Sequence, residues 1–397
     1  MDDQISSCPV LNFDYAEVRP AGSWMSTYDE LRRQFPWYRN EYGPGFWTMV
    51  NYEGILQILQ NAKAFSNSVV TAVDPNPKYK WIPEMLDGEE HKQWRRQLGP
   101  LFSPGAVERL DGAVRQRAIE LIEAIVAKAD GGPVDFMADF AQQFPTSIFL
   151  EMMGLPVDEL DQFMEWEHAI LHIAHDDAGQ KQRSDASLAV MNRFAEIIAE
   201  RRIEPRDDIV SKAINYEVDG KPVSDEDLLS FCLLMFMAGL DTVSATLGWT
   251  FMHLAQHPDD RQKILDQPEL IPTAVEEFVR AYAIVIAARK VTEDIEIQGC
   301  PFKAGDMVNV PLNAATRDDN AFRDALTVDI ERKPNNHIAF GAGPHRCLGS
   351  HLARRELKIA VEEWHKRIPH YRIDPDAQLL ESGGQLGLKA LPLIWDA

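Results

Sequence analysis

Cysteine is scarce in this sequence: four in 397 residues, at positions 8, 232, 300 and 347, with no CxxC pair among them. That spacing excludes a zinc ribbon, a thioredoxin-like redox motif and a disulfide framework, and it fits a reducing, cytoplasmic compartment. Surplus positive charge is lacking too. Lys and Arg number 40 against 62 Asp and Glu, a formal net charge of −22. Nucleic acid and anionic membrane would both be repelled, so neither is expected as a general partner. The segment Met1–Pro20 has no basic start and no apolar stretch, and prolines at 9 and 20 interrupt it. It reads as neither a signal peptide nor a membrane anchor. No Gly/Ser-rich or Pro-rich linker, repeat or low-complexity tract divides the chain. Residues 1–397 are therefore expected to form a single domain.

What is present is mostly helical signal. Ser224-Asp225-Glu226-Asp227 supplies an N-cap and first-turn carboxylates, and a largely apolar run follows to His257 before Pro258. A helix of that length spans about 50 Å and should cross the middle of the molecule. Further helices are expected at Glu89–Leu101, Gly105–Lys128, Val157–Ala174, Gln180–Arg202, Glu269–Ala283 and Gly349–Lys366. Strand signals cluster at Phe46–Val50, Lys290–Ile297, Met307–Leu312 and Gly387–Trp395. The fold class is mainly α, a large helical body with small β-sheets.

The chemistry is concentrated in Phe340-Gly341-Ala342-Gly343-Pro344-His345-Arg346-Cys347-Leu348-Gly349. Its glycines permit a loop that approaches a flat cofactor closely. Cys347 stands just ahead of a helix start, where free N–H groups and the helix dipole favour a thiolate. The bland alternative is an inert buried cysteine after a glycine-rich turn. Upstream, Glu277-Phe278-Val279-Arg280 places an acid and a base on one helical face. In the long helix, Ala238-Gly239-Leu240-Asp241-Thr242 interrupts an apolar run with a carboxylate that needs a reason to be there. The bland reading has Thr242 bonded back to its own helix and Asp241 tied to a surface cation.

The pattern Phe-Gly-x-Gly-x-His-x-Cys-x-Gly, matched at every fixed position, resembles the signature of the cytochrome P450 family. The resemblance runs from about Glu89 to the C-terminus. Gly239–Val243, His351–Glu356 and Leu391–Asp396 are similar to the soluble bacterial camphor-hydroxylating branch. It implies haem b (iron protoporphyrin IX) with Cys347 as axial ligand and sole metal-binding residue, the Phe340, Gly341, Gly343 and Gly349 loop against the ring, and His91, Arg95, Arg289 and His345 on the propionates. It implies catalytic roles for Asp241 and Thr242, an acid–alcohol pair that delivers solvent protons on the oxygen side, with Gly239 leaving room for O2. Glu277, Arg280 and Arg332 would form a buried structural network.

The implied function is a monooxygenase that hydroxylates a small-to-medium apolar substrate: a terpenoid, norisoprenoid, steroid or aromatic. Electrons would come from NAD(P)H through a reductase and a [2Fe–2S] ferredoxin. Lys92, Arg96, Arg346, Arg354 and Lys358 are the basic island expected to meet that ferredoxin. Ile284, Val285, Ile286, Phe236, Val243, Trp81 and Tyr79 are the expected pocket residues, in a divergent loop from Ser66 to Met85 and around the oxygen side. An H2O2-driven peroxygenase is one alternative, though it has less need of an Asp241–Thr242 relay. A non-enzymatic haem sensor is the other, though no output domain is recognisable. His168, His172 and His175 share a helical face but are not read as a second metal site.

Overall fold

The computed structural model describes residues 9–128, 131–171, 177–383 and 385–395. The long central helix runs from Asp225 to Gln256, roughly 48 Å at ~1.5 Å per residue. Ser224 caps it, its side chain accepting from Asp227 N at 3.1 Å, and three acidic residues fill the first turn. This helix is apolar and long enough to cross a membrane. Here it is the core: Leu228, Phe231, Phe236, Leu247, Phe251 and Leu254 have no exposed surface.

Most expected helices form, with shifted ends. Glu89–Leu101 becomes a helix over Gly88–Leu98 followed by a 3-10 turn over Gly99–Phe102. Gly105–Lys128 breaks into Pro104–Glu108 and Asp111–Lys128. Gln180–Arg202 lies within Asp177–Ile203. Val157–Ala174 resolves into a 3-10 turn at Val157–Glu159 and a helix over Leu160–Leu171; Ala174 lies outside the described residues. The helix Gln143–Met153 was not expected, because its run Phe144–Leu150 is buried all round and so has no periodicity to read. Pro145 falls in the first turn, where the chain passes from the π-helical turn Met137–Ala141 into this helix.

The main sheet orders its strands Val10–Leu11, Trp37–Asn40, Phe46–Met49, Met307–Pro311, Ile286–Val291 and Phe65–Ser66. The expected strand Lys290–Ile297 is in fact two. Ile286–Val291 pairs antiparallel with Met307–Pro311, whereas Ile295–Ile297 pairs with Cys300–Phe302 in a separate hairpin. The apolar alternation continues across the turn between them, so pattern alone does not show the break. Gly387–Trp395 likewise splits, its halves Gly387–Leu388 and Pro392–Ile394 joining different small sheets.

Between the main sheet and the helix Ser350–Arg367, the chain is organised by Glu277 on the helix Ile271–Ala281. Its side chain is 0% exposed. Arg280 donates to it at 2.7 and 2.8 Å and Arg332 at 3.0 and 3.1 Å. Asn335 Nδ2 and the Asp329 backbone N–H add bonds at 3.1 and 2.8 Å. Arg280 then reaches the carbonyls of Thr316, Ala325 and Thr327. The expected three-residue network is thus present and is wider than its three members. Glu277→Ala strands two guanidinium groups and should cost ~3–5 kcal/mol. Denaturant unfolding checks this, and a loss below ~1 kcal/mol would remove the network from its structural role.

Candidate haem site

The cysteine loop is built on two left-handed turns. Gly341 and Gly343 adopt φ of 71° and 70°, a conformation that side chains resist. Gly343 has a second constraint: a Cβ there would collide with the Leu59 carbonyl and come within 3.0 Å of Gln60 Cα. The loop therefore rests directly on the backbone at the end of the helix Tyr52–Gln60. Gly349 differs. Its φ is −78° and a Cβ would meet nothing within 4 Å, so open space, not strain, surrounds it. Phe340 O accepts the Cys347 N–H at 2.8 Å, which closes the loop.

Cys347 precedes the helix Ser350–Arg367, with Gly349 at the N-cap. Cys347 keeps accessible surface among the residues of the loop. Burial pushes the thiol pKa up; the Gly349 N–H, Arg95 and Arg346 oppose that without overcoming it. The thiolate expected from the helix start is therefore not held by the protein alone. A bound metal deprotonates a coordinating thiol outright.

Four side chains expected on the propionates converge beside this loop. His91 and His345 stack with ring centroids 4.0 Å apart and planes at 28°. Arg95 Nη2 donates to Arg346 O at 2.7 Å. Arg289, on the strand opposite Val308, is 6% exposed and donates to Ala288 O at 2.7 Å. Among the described residues it has no carboxylate partner within ion-pair distance. Burial pulls its pKa down to about 10, which the acids Glu84 and Asp87 only partly offset. His345 Nε2 is buried without a hydrogen bond, 3.5 Å from Asp87 Oδ1. A buried guanidinium with no carboxylate in ion-pair range among the described residues calls for an anion, so the residues present fit a carboxylate-bearing haem. Burial, helped by His345 and Arg95, lowers the His91 pKa to about 4, so at neutral pH it is a neutral donor and not a cation.

The oxygen side is more mixed. Asp241 and Thr242 are half-buried in the middle of the central helix, beside an exposed Ala238. Thr242 Oγ1 donates to Ala238 O at 3.1 Å, the back-bonded geometry of the bland reading. Thr246 and Thr250 repeat it one and two turns later. With its proton committed, the Thr242 oxygen is left free to accept. At Gly239 a Cβ would lie 2.9 Å from Phe149 Cδ2, so the missing side chain lets the helices pack closely there. Phe236 is 0% exposed among Phe149 and Phe163 and belongs to the core, not to a pocket wall. His172 and His175 lie outside the described residues.

Sequence reasoning missed a second carboxylate network. Glu276, next to Glu277, binds Arg354 through both Nε and Nη2 and His337 Nε2 at 2.9 Å. Arg354 also lies 4.4 Å over the Phe340 ring. It braces the cysteine loop and is not a free surface charge. The rest of the basic island is largely paired: Lys92 and Arg96 with Glu89, and Lys358 with Glu362. Burial works against ionised Glu276, but His337 and Arg354 hold its pKa at about 2, down from 4.5. A depressed folded-state pKa means that the stabilisation is complete above about 4.5 and is lost as pH falls towards about 2. Glu276→Gln should therefore flatten the acid limb of the stability profile in that window; an unchanged limb in acid titrations would contradict the assignment.

Comparison with known proteins agrees with this geometry. The family model described as cytochrome P450 matches residues 22–367. A probable cytochrome P450 127A1 of Sinorhizobium fredii is 33% identical over 89% of this chain and 84% of its own. The mycinamicin IV hydroxylase/epoxidase of Micromonospora griseorubida is 32% identical over 93% and 94%. The crystal structure of CYP101J2 superposes with a TM-score of 0.88 at 32% identity, covering 100% of this chain and 99% of that one. With the cysteine loop, the buried cations beside it and the helical body all in place, the chain belongs to the cytochrome P450 family, monooxygenases that carry haem on a cysteine thiolate.

Proposed function

We propose that Cys347 is the axial haem ligand and that His91, Arg95, Arg289 and His345 hold the propionates. The observation that carries this reading is Arg289, a buried guanidinium with no carboxylate in ion-pair range among the described residues, close enough to His345 of the cysteine loop for its charge to act there. Bound there, haem supplies the oxygen-activating chemistry. Arg95 and Arg289 offer planar forks to carboxylates. His345 and neutral His91 add single donors. Phe340, Gly341, Gly343 and Gly349 form the loop that lies against the ring.

On the opposite side, Asp241 and Thr242 deliver protons. Thr242 Oγ1, already donating to Ala238 O, accepts a hydrogen bond at the cavity and positions the group that makes it. Asp241 exchanges protons with solvent. The reaction is insertion of one atom of O2 into a C–H bond of a small-to-medium, mainly apolar substrate. Ile284 at 6% and Val243 at 5% exposure, with the half-buried Val285 and Ile286, supply apolar wall. Electrons come from NAD(P)H through a reductase and a [2Fe–2S] ferredoxin, and the protein works in the cytoplasm.

The reduced, CO-bound protein should show a strongly red-shifted Soret band; a band at the position given by imidazole ligation would end the reading. Turnover should require ferredoxin, reductase and NAD(P)H, and turnover with H2O2 alone would replace the monooxygenase by a peroxygenase. Docking has one clean probe. Arg346 is exposed and, among the described residues, has no acid within ion-pair range. Arg346→Glu should slow ferredoxin-dependent reduction about tenfold or more at low salt while dithionite reduction is unchanged. Equal ferredoxin rates would move the docking face elsewhere.

A further inference from the structure

Three helices meet where the central helix ends: Asp225–Gln256, Pro258–Asp266 and Ile271–Ala281, with Tyr282 closing the last. At that junction Tyr282 Oη lies 2.9 Å from His253 Nδ1, and His253 Nε2 lies 2.9 Å from Asp260 Oδ2. The carboxylate fixes the direction of both bonds. Burial outweighs Asp260 and lowers the His253 pKa, so at neutral pH the ring is uncharged and carries one N–H. A neutral imidazole facing a carboxylate donates to it, which leaves Nδ1 bare to accept the phenol. Burial also pushes the Tyr282 pKa up to about 12, so the phenol keeps its proton. The His253 side chain is 2% exposed and that of Asp260 30%, so the chain of bonds runs from the interior to water.

Tyr282 also stacks on a tryptophan. The rings of Trp249 and Tyr282 have centroids 5.5 Å apart and planes at 6°, an offset parallel pair. Trp249 is 1% exposed, and its indole N–H donates to Leu386 O at 2.9 Å. It stands on the same helix as Asp241 and Thr242, two turns or roughly 10 Å beyond Thr242. Packing accounts for the stack, and any acceptor would satisfy the Tyr282 hydroxyl. What the fold supplies is more particular: a neutral base backed by a carboxylate. That set takes the proton from a phenol as the phenol loses an electron, and the stacked indole gives the electron a way out.

We propose that Tyr282, with His253 as proton acceptor and Trp249 as relay, is a redox site through which oxidising equivalents leave the haem when no substrate consumes them. The inference rests on the haem reading above and adds a second outlet to it. The oxidised haem gains one electron from Tyr282 by way of Trp249. In the same step the phenolic O–H bond breaks and an N–H bond forms at His253 Nδ1, leaving a neutral tyrosyl radical. The Asp260 carboxylate balances the imidazolium charge. A soluble one-electron reductant restores the phenol, and the proton returns from His253.

The test mixes substrate-free, haem-loaded protein with meta-chloroperbenzoic acid and freeze-quenches it for EPR. A tyrosyl signal is expected in the parent protein and should be lost in Tyr282→Phe, which keeps the stack and removes the O–H. His253→Gln keeps a hydrogen-bonding side chain without a base and should slow radical formation about a hundredfold. Trp249→Phe should slow it as well, with the tyrosyl spectrum unchanged. In the parent protein formation should be slower in D2O than in H2O, because the proton moves with the electron; equal rates would overturn the role of His253 without any variant. A signal that persists in Tyr282→Phe, or forms at the parent rate in His253→Gln, would overturn the proposal, since a purely structural Tyr–His–Asp chain predicts no change in either. The CO-bound spectrum, measured first, separates the two readings. A missing red shift ends the haem assignment; a normal band without a tyrosyl signal ends only the role of Tyr282.

Discussion

A carboxylate with no exposed surface has to be neutralised where it sits, and Glu277 imposes that condition on everything downstream of its helix. The segment from Thr316 to Asn335 has little regular structure, so its course is set by what it must bring to Glu277 and Arg280. Arg332, Asn335 and the Asp329 amide all arrive at one side chain. Five residues after Asn335 the cysteine loop begins. The adjacent Glu276 points the other way and holds Arg354 on the helix that follows the loop. One helical turn thus governs the chain on both sides of Cys347, and the loop needs little stiffness of its own.

The cavity side shows the opposite economy. Arg289 is buried with no carboxylate in ion-pair range among the described residues, and the Cys347 thiol is held above its ordinary pKa by burial. Each is unfavourable for the polypeptide alone, and in the site proposed above a flat anionic iron complex would relieve both. Cofactor binding and folding are consequently linked: a ligand that binds only the folded chain stabilises it by mass action.

Much of this was legible in the sequence because it depends on local backbone requirements. The glycines at 341 and 343, the Ser224 cap and the i,i+3 pair Glu277–Arg280 follow from turn and helix geometry. What escaped depends on side-chain direction after folding. Gly239 was expected to make room for a ligand, but only the packed structure shows Phe149 against it. Arg354 looked like a surface cation until its stack on Phe340 placed it under the loop. The pairing of Lys92 and Arg96 with Glu89 was readable from spacing and removes most of the apparent basic island.

Arg354 has an evolutionary implication. Its guanidinium lies on the face where an electron donor is proposed to dock and also supports the ring of Phe340. Drift that tunes this surface to a new donor cannot pass through residue 354 without disturbing the loop. Partner choice is left to positions such as Arg346 and Lys358, which can change while the brace stays. A lineage could exchange its electron donor many times and keep Arg354 throughout, so an invariant arginine on this face would record the architecture of the loop and not the identity of the partner.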